Sequence, residues 1–261
     1  MAETKKKPTI SSTEKYEEAK AAAQQGQSTL KGNATGLRIG AIVLWVLAFV
    51  FEILAVLLIF GKLNWSFLPM IWLLVILIVL DLACVIIGSR LWVKANHIKP
   101  ASEKNKTLFW IWNNLGVIVA CFAFIPMIII MLTNKNLDKK TKVVATIVAI
   151  IALLIGGAAS YDYNPVSTEQ LESAKTELSG TVVWWAPFGK VYHTYVVVEN
   201  NEIVECCPHL NRSESLTPGT VDEAIAAGRT RLCSYCASHD EITGVVTDEA
   251  TGTAEAEDNA A

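Results

Sequence analysis

The sequence predicts an α-helical membrane protein that has four transmembrane helices and ends in a small α+β module. Of the 261 residues, 52% are hydrophobic, which is more than an ordinary soluble domain contains. The excess lies between residues 37 and 160, where long apolar runs follow one another. Between residues 182 and 236 the apolar segments are short and β-rich instead, and four of the six cysteines lie there.

Residues 1–36 are polar, include three consecutive lysines near their start and contain almost no large apolar side chains. Such a segment buries too little apolar surface to fold, so we expect a flexible cytoplasmic tail. Ser11 and Glu14 have the spacing of a helix-capping pair and predict one short helix over residues 14–25. The polar start and the long apolar run after it argue against a cleaved secretory signal.

Four apolar runs cover residues 37–60, 68–92, 108–132 and 143–159. A helix needs about 20 apolar residues to cross the hydrocarbon core, so each run predicts one transmembrane helix, the last at the short limit. That last run is rich in alanine and glycine, which allow close helix packing in lipid. Residues 37–160 are therefore predicted to form a four-helix transmembrane domain.

The basic residues predict how this domain is oriented. Twelve of them lie in the amino-terminal tail, in the second loop or at the adjoining helix ends, and five lie in the first and third loops. Because lysine and arginine concentrate on the cytoplasmic side, we expect a multi-pass protein of the cell membrane with both termini in the cytoplasm. The twelve are Lys5, Lys6, Lys7, Lys15, Lys20, Lys31, Arg38, Arg90, Lys94, Lys99, Lys104 and Lys106, and the five are Lys62, Lys135, Lys139, Lys140 and Lys142.

Glu52 and Asp81 lie deep within the first and second predicted transmembrane helices. A charge at the centre of a bilayer costs about 2.5 kcal/mol or more, so acidic residues there indicate a function by default. One interpretation is a proton- or cation-handling pair in a small transporter or ion-handling membrane protein. The other is a hydrogen bond with a shared proton that locks the two helices together. We favour the hydrogen bond, because no basic partner accompanies the two acids.

After the last run, residues 161–180 are predicted to leave the membrane through a turn and to form a linker helix over residues 168–178. Ser167 and Gln170 have the spacing that caps such a helix. At the far end, residues 242–261 are acidic and rich in small side chains, so we expect them to form a disordered acidic tail.

Residues 181–241 form the module between these two segments. Short β-rich runs, a capped helix and a Cys-x-x-Cys turn predict a small meander, a helix and a closing knuckle. The predicted strands are 181–185, 191–198 and 202–206, and the predicted helix is 221–227, with Thr220 and Glu223 as its capping pair.

The cysteines of the module indicate a metal. A domain of about 60 residues buries a small core and often needs a metal or disulfides to be stable, and disulfides are rare in the cytoplasm. Zinc takes four tetrahedral nitrogen or sulfur ligands. Cys233 and Cys236 supply two of them, and the pair Cys206–Cys207 supplies at least one more. Either His193 or the second cysteine of that pair completes the set.

The same residues resemble the Ada-like small zinc-binding domain, named for the metal-binding domain of the Ada DNA-repair protein. Modules of this type also end uncharacterised membrane proteins of Gram-positive bacteria, which the membrane half of this chain resembles. The resemblance implies four zinc ligands: His193, Cys207, Cys233 and Cys236. The gap between His193 and Cys207 is longer than the usual one, which keeps Cys206 as an alternative ligand. The matching elements are Gly189-Lys190-Val191-Tyr192-His193, Cys207-Pro208-His209-Leu210, the helix 223–228 and the final Cys-x-x-Cys.

These observations predict a membrane-anchored cytoplasmic zinc-binding module with an interaction or sensing role. Its partners are the bilayer and a protein that the sequence does not identify. Four protein ligands leave zinc no open position, which argues against an enzyme, and we give little weight to alkyl transfer as in Ada. Residues 180–241 carry four basic and eight acidic side chains, so we expect no nucleic-acid binding. We expect His209 to cover the metal site and not to bind the ion.

Overall fold

The computed structural model describes residues 7–26, 30, 32–63, 68–135 and 137–248. The described chain divides into two compact units. The helical unit comprises residues 33–96 and 104–163. The α+β unit comprises the described residues between 7 and 32, residues 97–103 and residues 164–248.

Helices account for most of the described chain. They are α1 (Thr13–Gln24), α2 (Ala34–Ile59), α3 (Met70–Ile98), α4 (Lys106–Asn113), α5 (Leu115–Thr133), α6 (Lys139–Ser160), α7 (Thr168–Glu177), α8 (Val221–Ala226) and α9 (Ser234–His239). The strands are β1 (Thr9–Ile10), β2 (Val183–Trp185), β3 (Val191–Tyr192), β4 (Val196–Glu199), β5 (Glu202–Cys206), β6 (Ser215–Gly219) and β7 (Arg231–Leu232).

Four helices of the described chain, α2, α3, α5 and α6, are long and apolar enough to cross a membrane. This agrees with the predicted multi-pass architecture. The third predicted span differs, because the chain breaks at Asn114 into α4 and α5. The side chains of Asn113 and Asn114 donate to the carbonyls of Phe109 and Trp110 at 3.0 and 3.1 Å. Such side-chain bonds compete with the helical backbone bonds, and Asn114 itself is not helical (φ −107°, ψ 22°).

Small side chains bring the helices of this unit close together. Ala48 of α2, Ala120 of α5 and Ala149 of α6 are completely buried in one apolar core. A Cβ atom on Gly88 of α3 would lie 2.8 Å from the Trp45 ring, so α2 approaches α3 at a position where only glycine fits. Close contact of this kind drives helix association in lipid.

The α+β unit contains three small sheets and no meander within the described residues. The first has the strand order β1-β6-β2, with β1 parallel and β2 antiparallel to β6. The second pairs β3 with β7 in parallel, and the third is the hairpin β4-β5, which turns at Asn200 and Asn201. The predicted meander is wrong because β3 pairs with a strand about 40 residues further along the chain. The sequence also did not predict β6.

The helix predicted as a linker belongs to the core of this unit. The capping pair Ser167 and Gln170 forms as predicted. However, Leu171, Ala174 and Leu178 form a stripe on one face, and all three are buried with the strands. The helix therefore contributes to the core instead of acting only as a spacer.

The amino-terminal segment is also part of this unit, at least from residue 7 to residue 26. Its strand β1 pairs with β6, and the N–H of Ser11 donates to the Leu216 carbonyl at 2.8 Å. The ring of Tyr16 lies 5.2 Å from that of Trp184. A flexible tail is thus the wrong description of these residues, because their few apolar groups find partners almost 200 residues away. The helix is capped by Ser12, one residue after the predicted cap.

Residues 242–248, the described part of the predicted acidic tail, pack with the α+β unit. The N–H of Leu232 donates to the Val246 carbonyl at 3.0 Å, and the N–H of Asp248 donates back to the Leu232 carbonyl at 3.2 Å. Residues 246–248 therefore extend the sheet edge at β7. The rest of the predicted tail, 249–261, lies outside the described residues.

A third segment, residues 97–103, completes the α+β unit. The N–H and the hydroxyl of Thr168 donate to the carbonyls of Ala101 and Pro100, each at 3.0 Å. The Glu103 N–H donates to the Glu169 carboxylate at 3.0 Å. This unit is thus assembled from segments that precede α2, connect α3 to α4 and follow α6.

Truncating Tyr16 should loosen the amino-terminal segment. We expect Tyr16→Ala to destabilise its docking by about 2 kcal/mol, because a half-buried ring in contact with Trp184 is lost. Hydrogen exchange of the intact chain, read by mass spectrometry over residues 7–26, should become about 30-fold faster. The control Glu17→Ala removes an exposed side chain of the same helix and should leave exchange unchanged. Equal exchange rates in both variants would contradict the docked arrangement.

Candidate metal centre

Backbone hydrogen bonds fix the positions of the residues that meet in the α+β unit. His193 and Trp184 exchange two backbone hydrogen bonds, each 2.8 Å long. The N–H of Cys207, directly after β5, donates to the Tyr195 carbonyl at 2.8 Å, and the N–H of Cys233, directly after β7, donates to the Tyr192 carbonyl at 2.9 Å. Segments that are far apart in the chain are thus held around one point.

His193, Cys207, Cys233 and Cys236 form one cluster, and their ligand atoms all lie within 4.8 Å of one another. The Sγ atoms of Cys207 and Cys233 are 3.9 Å apart, and the Cys236 Sγ lies 3.6 Å from the His193 Nδ1. Metal–sulfur bonds of about 2.3 Å and a metal–nitrogen bond of about 2.0 Å, at tetrahedral angles, would separate these atoms by about 3.8 and 3.5 Å. These two distances fit a metal ion bound between the four side chains, and the group as a whole could hold one.

The cluster is removed from solvent. The three cysteines have no exposed surface, and His193 is 4% exposed. Tyr192, Leu210 and Leu232 pack in the same core. Buried thiolates need a positive partner, because an isolated charge in such surroundings is strongly disfavoured. A cation at this point would satisfy all four groups at once.

The thiols share their protons unequally. Hydrogen bonds from the thiols of Cys207 and Cys236 hold the pKa of Cys233 far below its usual range. The hydrogen bonds to Cys233 and Cys236, together with burial, raise the pKa of Cys207 well above its usual range. For Cys236, the hydrogen bond with Cys207 lowers the pKa, but the bond with Cys233 and burial outweigh it and leave the value at about 11. Without a cation, the favoured state is one thiolate and two thiols.

Cys206, the alternative ligand, lies outside this cluster. It is the last residue of β5, and its Sγ is 3.7 Å from the Asn211 side-chain oxygen. Successive side chains of an extended strand point to opposite faces, so Cys206 and Cys207 cannot both reach the same point. His193 occupies the fourth position instead.

His209 lies over the cluster, in agreement with the expected covering role. Its Nδ1 is 3.2 Å from the Cys233 Sγ, which allows an N–H···S hydrogen bond to that sulfur. Tyr235 and His239 of α9 continue this layer, and His239 stacks on Tyr195 with the ring centres 3.9 Å apart. The Glu205 carboxylate, hydrogen-bonded to the phenol, raises the pKa of Tyr195 to about 12.

One supporting residue was missed by the sequence analysis. The Asp248 carboxylate accepts the backbone N–H of Ser234 at 2.7 Å, next to Cys233 and inside the Cys-x-x-Cys turn. Asp248 lies in a segment whose composition is typical of disorder, so no local signal marks it.

Glu52 and Asp81 lie in the helical unit, on α2 and α3. Asp81 is 1% exposed, and neither of its carboxylate oxygens has a hydrogen-bond partner among the described residues. The shared hydrogen bond favoured by the sequence analysis is therefore not observed. Both acids do lie within electrostatic range of each other.

Comparison with protein-family models, curated proteins and solved structures finds no match to this chain. The resemblance to Ada-like modules therefore depends on the quoted residues alone.

Binding of a divalent metal to the cluster should release about two protons per ion at neutral pH. Cys207 and Cys236 have raised pKa values and carry those protons, whereas Cys233 is already ionised. Protons compete with the metal, so affinity should fall as the pH falls. Titration of the metal-free chain in weak buffer with a pH indicator measures the release. Binding with no change in pH would contradict the proposed protonation state.

Proposed function

We propose that this protein is a membrane-anchored cytoplasmic zinc-binding module in which zinc has a structural role and supports an interaction or sensing function. The observation that carries the proposal is the buried cluster of three cysteine sulfurs and one imidazole nitrogen, whose ligand atoms lie within 4.8 Å of one another. The four helices long enough to span a bilayer supply the anchor.

The donor set favours zinc. Zinc is bound tetrahedrally by combinations of cysteine and histidine, and Cys₃His is a recurrent structural set. Thiolates suit zinc better than magnesium or calcium, which prefer oxygen ligands. Four protein ligands also occupy every tetrahedral position, so no site is left for a reacting water molecule. A structural role follows from this closed arrangement.

Two observations support a cytoplasmic location. The segments before α2, between α3 and α4 and after α6 fold into one unit, so they share one side if α2, α3, α5 and α6 span the membrane. The basic residues concentrate in the first two of these segments, which favours the cytoplasm for that side. Cysteines stay reduced there and remain free to bind a metal.

An exposed aromatic residue supports an interaction role. Phe188 is 99% exposed at the tip of the turn between β2 and β3. The Arg229 guanidinium donates to the Ala186 carbonyl at 3.1 Å and also to that of Pro187, which holds the turn in place. A large apolar side chain presented by a pinned turn is typical of an anchor residue in a protein contact.

The purified full chain should contain about one zinc ion, and Cys233→Ser should lose it together with the fold of the α+β unit. The expected loss is large, since structural zinc contributes about 10 kcal/mol or more to folding. Metal analysis and hydrogen exchange measure the two effects.

Cys206→Ser provides the matched control, because Cys206 adjoins Cys207 but lies outside the cluster. It should keep both the zinc and the fold. In a chain reconstituted with Co²⁺, the absorption of tetrahedral thiolate ligation should appear in this variant and in the parent. A parent chain that keeps its fold after treatment with a chelator would refute a structural metal.

Topology reporters fused at different positions of the chain should lie on alternating sides of the membrane. A reporter placed after Ala261 or between Ala101 and Ser102 should be cytoplasmic, whereas one placed after Lys62 should be external. An external result at Ala261 would place the cysteines in an oxidising compartment and favour disulfides over zinc.

A further inference from the structure

Glu52 and Asp81 face the interior of the helical unit. Ala48 and Ala55, about one turn before and after Glu52 on α2, are 0% and 1% exposed. Ile78 and Val85 bracket Asp81 on α3 in the same way and are also buried. Because residues three and four apart share a helix face, both acids lie on faces that pack into the apolar core. Glu52 itself is half-buried.

Nothing in the described chain neutralises these two acids. Arg38 is the only basic residue of α2 and lies in its first turns, while the basic residues of α3 lie in its last turns, at Arg90, Lys94 and His97. The helix α5 has Cys121 as its only titratable group, and the charged residues of α6 end at Lys142. The titratable neighbour of Asp81 on its own helix is Cys84.

The isolation of Asp81 constrains its charge state. A carboxylate that is 1% exposed, without a hydrogen-bond donor on either oxygen, cannot remain ionised in apolar surroundings. The proximity of Glu52 adds like-charge repulsion when both are ionised. The backbone carbonyls around them are engaged in helical hydrogen bonds, so too few free oxygens remain to replace the shell of a metal cation. A proton is the one cation that needs no further ligands.

We propose that Glu52 and Asp81 form a proton-binding site inside the helical unit, in which Asp81 is a neutral carboxylic acid at physiological pH. The half-buried Glu52 is the more accessible member of the pair and exchanges its proton more readily. The proposal does not depend on the metal centre. A protonatable pair within the helices is also what a proton-handling role of Glu52 and Asp81 would require.

Infrared spectroscopy of the full chain in lipid nanodiscs tests the proposal. At neutral pH the spectrum should contain the C=O absorption of protonated carboxylic acids, and Asp81→Asn should remove the component that Asp81 contributes. Exposed Asp138, which caps α6 by accepting the Thr141 N–H at 2.9 Å, provides the control. Asp138→Asn should leave the acid band intact, because carboxyls in water are ionised above about pH 5. An acid absorption of unchanged intensity in Asp81→Asn overturns the assignment.

A second measurement needs no variant. Dicyclohexylcarbodiimide is apolar and reacts with protonated carboxyl groups within a bilayer, so mass spectrometry should find its adduct at Glu52 at neutral pH. The yield should fall as the pH rises. The absence of an adduct in the intact protein would overturn the proposal, as would protection by Na⁺ at constant pH, which would assign the pair to a metal cation. We expect the zinc content to stay constant in all these experiments. A failure of the proton-binding proposal can therefore be distinguished from a failure of the zinc proposal.

Discussion

Three cysteine sulfurs and one imidazole meet inside the α+β unit, and the rest of that unit depends on how their charge is compensated. Three buried thiols cannot all ionise beside one another without a cation. Accordingly, hydrogen bonds with the neighbouring thiols hold the pKa of Cys233 far below its usual range and raise that of Cys207. A tetrahedral cation would replace these protons, join the loop after β5 to the turn after β7, and so connect short strands that share little backbone pairing.

The topology of the chain places a second constraint on the same unit. Its strands are two to five residues long. Because a small unit buries little apolar surface, every additional element that packs on its core adds stability. The unit obtains these elements from segments that the long apolar helices separate: β1 and α1 from the amino-terminal end and residues 97–103 from the middle. These additional segments are held by backbone hydrogen bonds as well as apolar contacts. Ser11 is hydrogen-bonded to Leu216, and Thr168 is hydrogen-bonded to Ala101.

Both units contain buried acidic groups, thiols in one and carboxyl groups in the other. Their surroundings favour different cations. In the α+β unit three thiols and one imidazole converge within 4.8 Å of one another, which suits a metal ion. In the helical unit two carboxyl groups face an apolar core of alanine, isoleucine and phenylalanine side chains, which offers no further ligands. The smallest cation suffices there. The number and geometry of the surrounding donor atoms therefore distinguish a metal site from a proton site.

The sequence by itself determined the four apolar helices, the capping pair of α7 and the Cys-x-x-Cys half of the metal cluster. Each has a local signal: a run long enough to span lipid, a Ser-x-x-Gln spacing, or a cysteine next to turn residues. Only the tertiary structure decided between His193 and Cys206, because alternation along β5 turns neighbouring cysteines to opposite faces. It also decided the places of β6, Tyr16 and Asp248. Their partners are distant in the chain, and contacts of that range leave no periodic or compositional mark on the segments that make them.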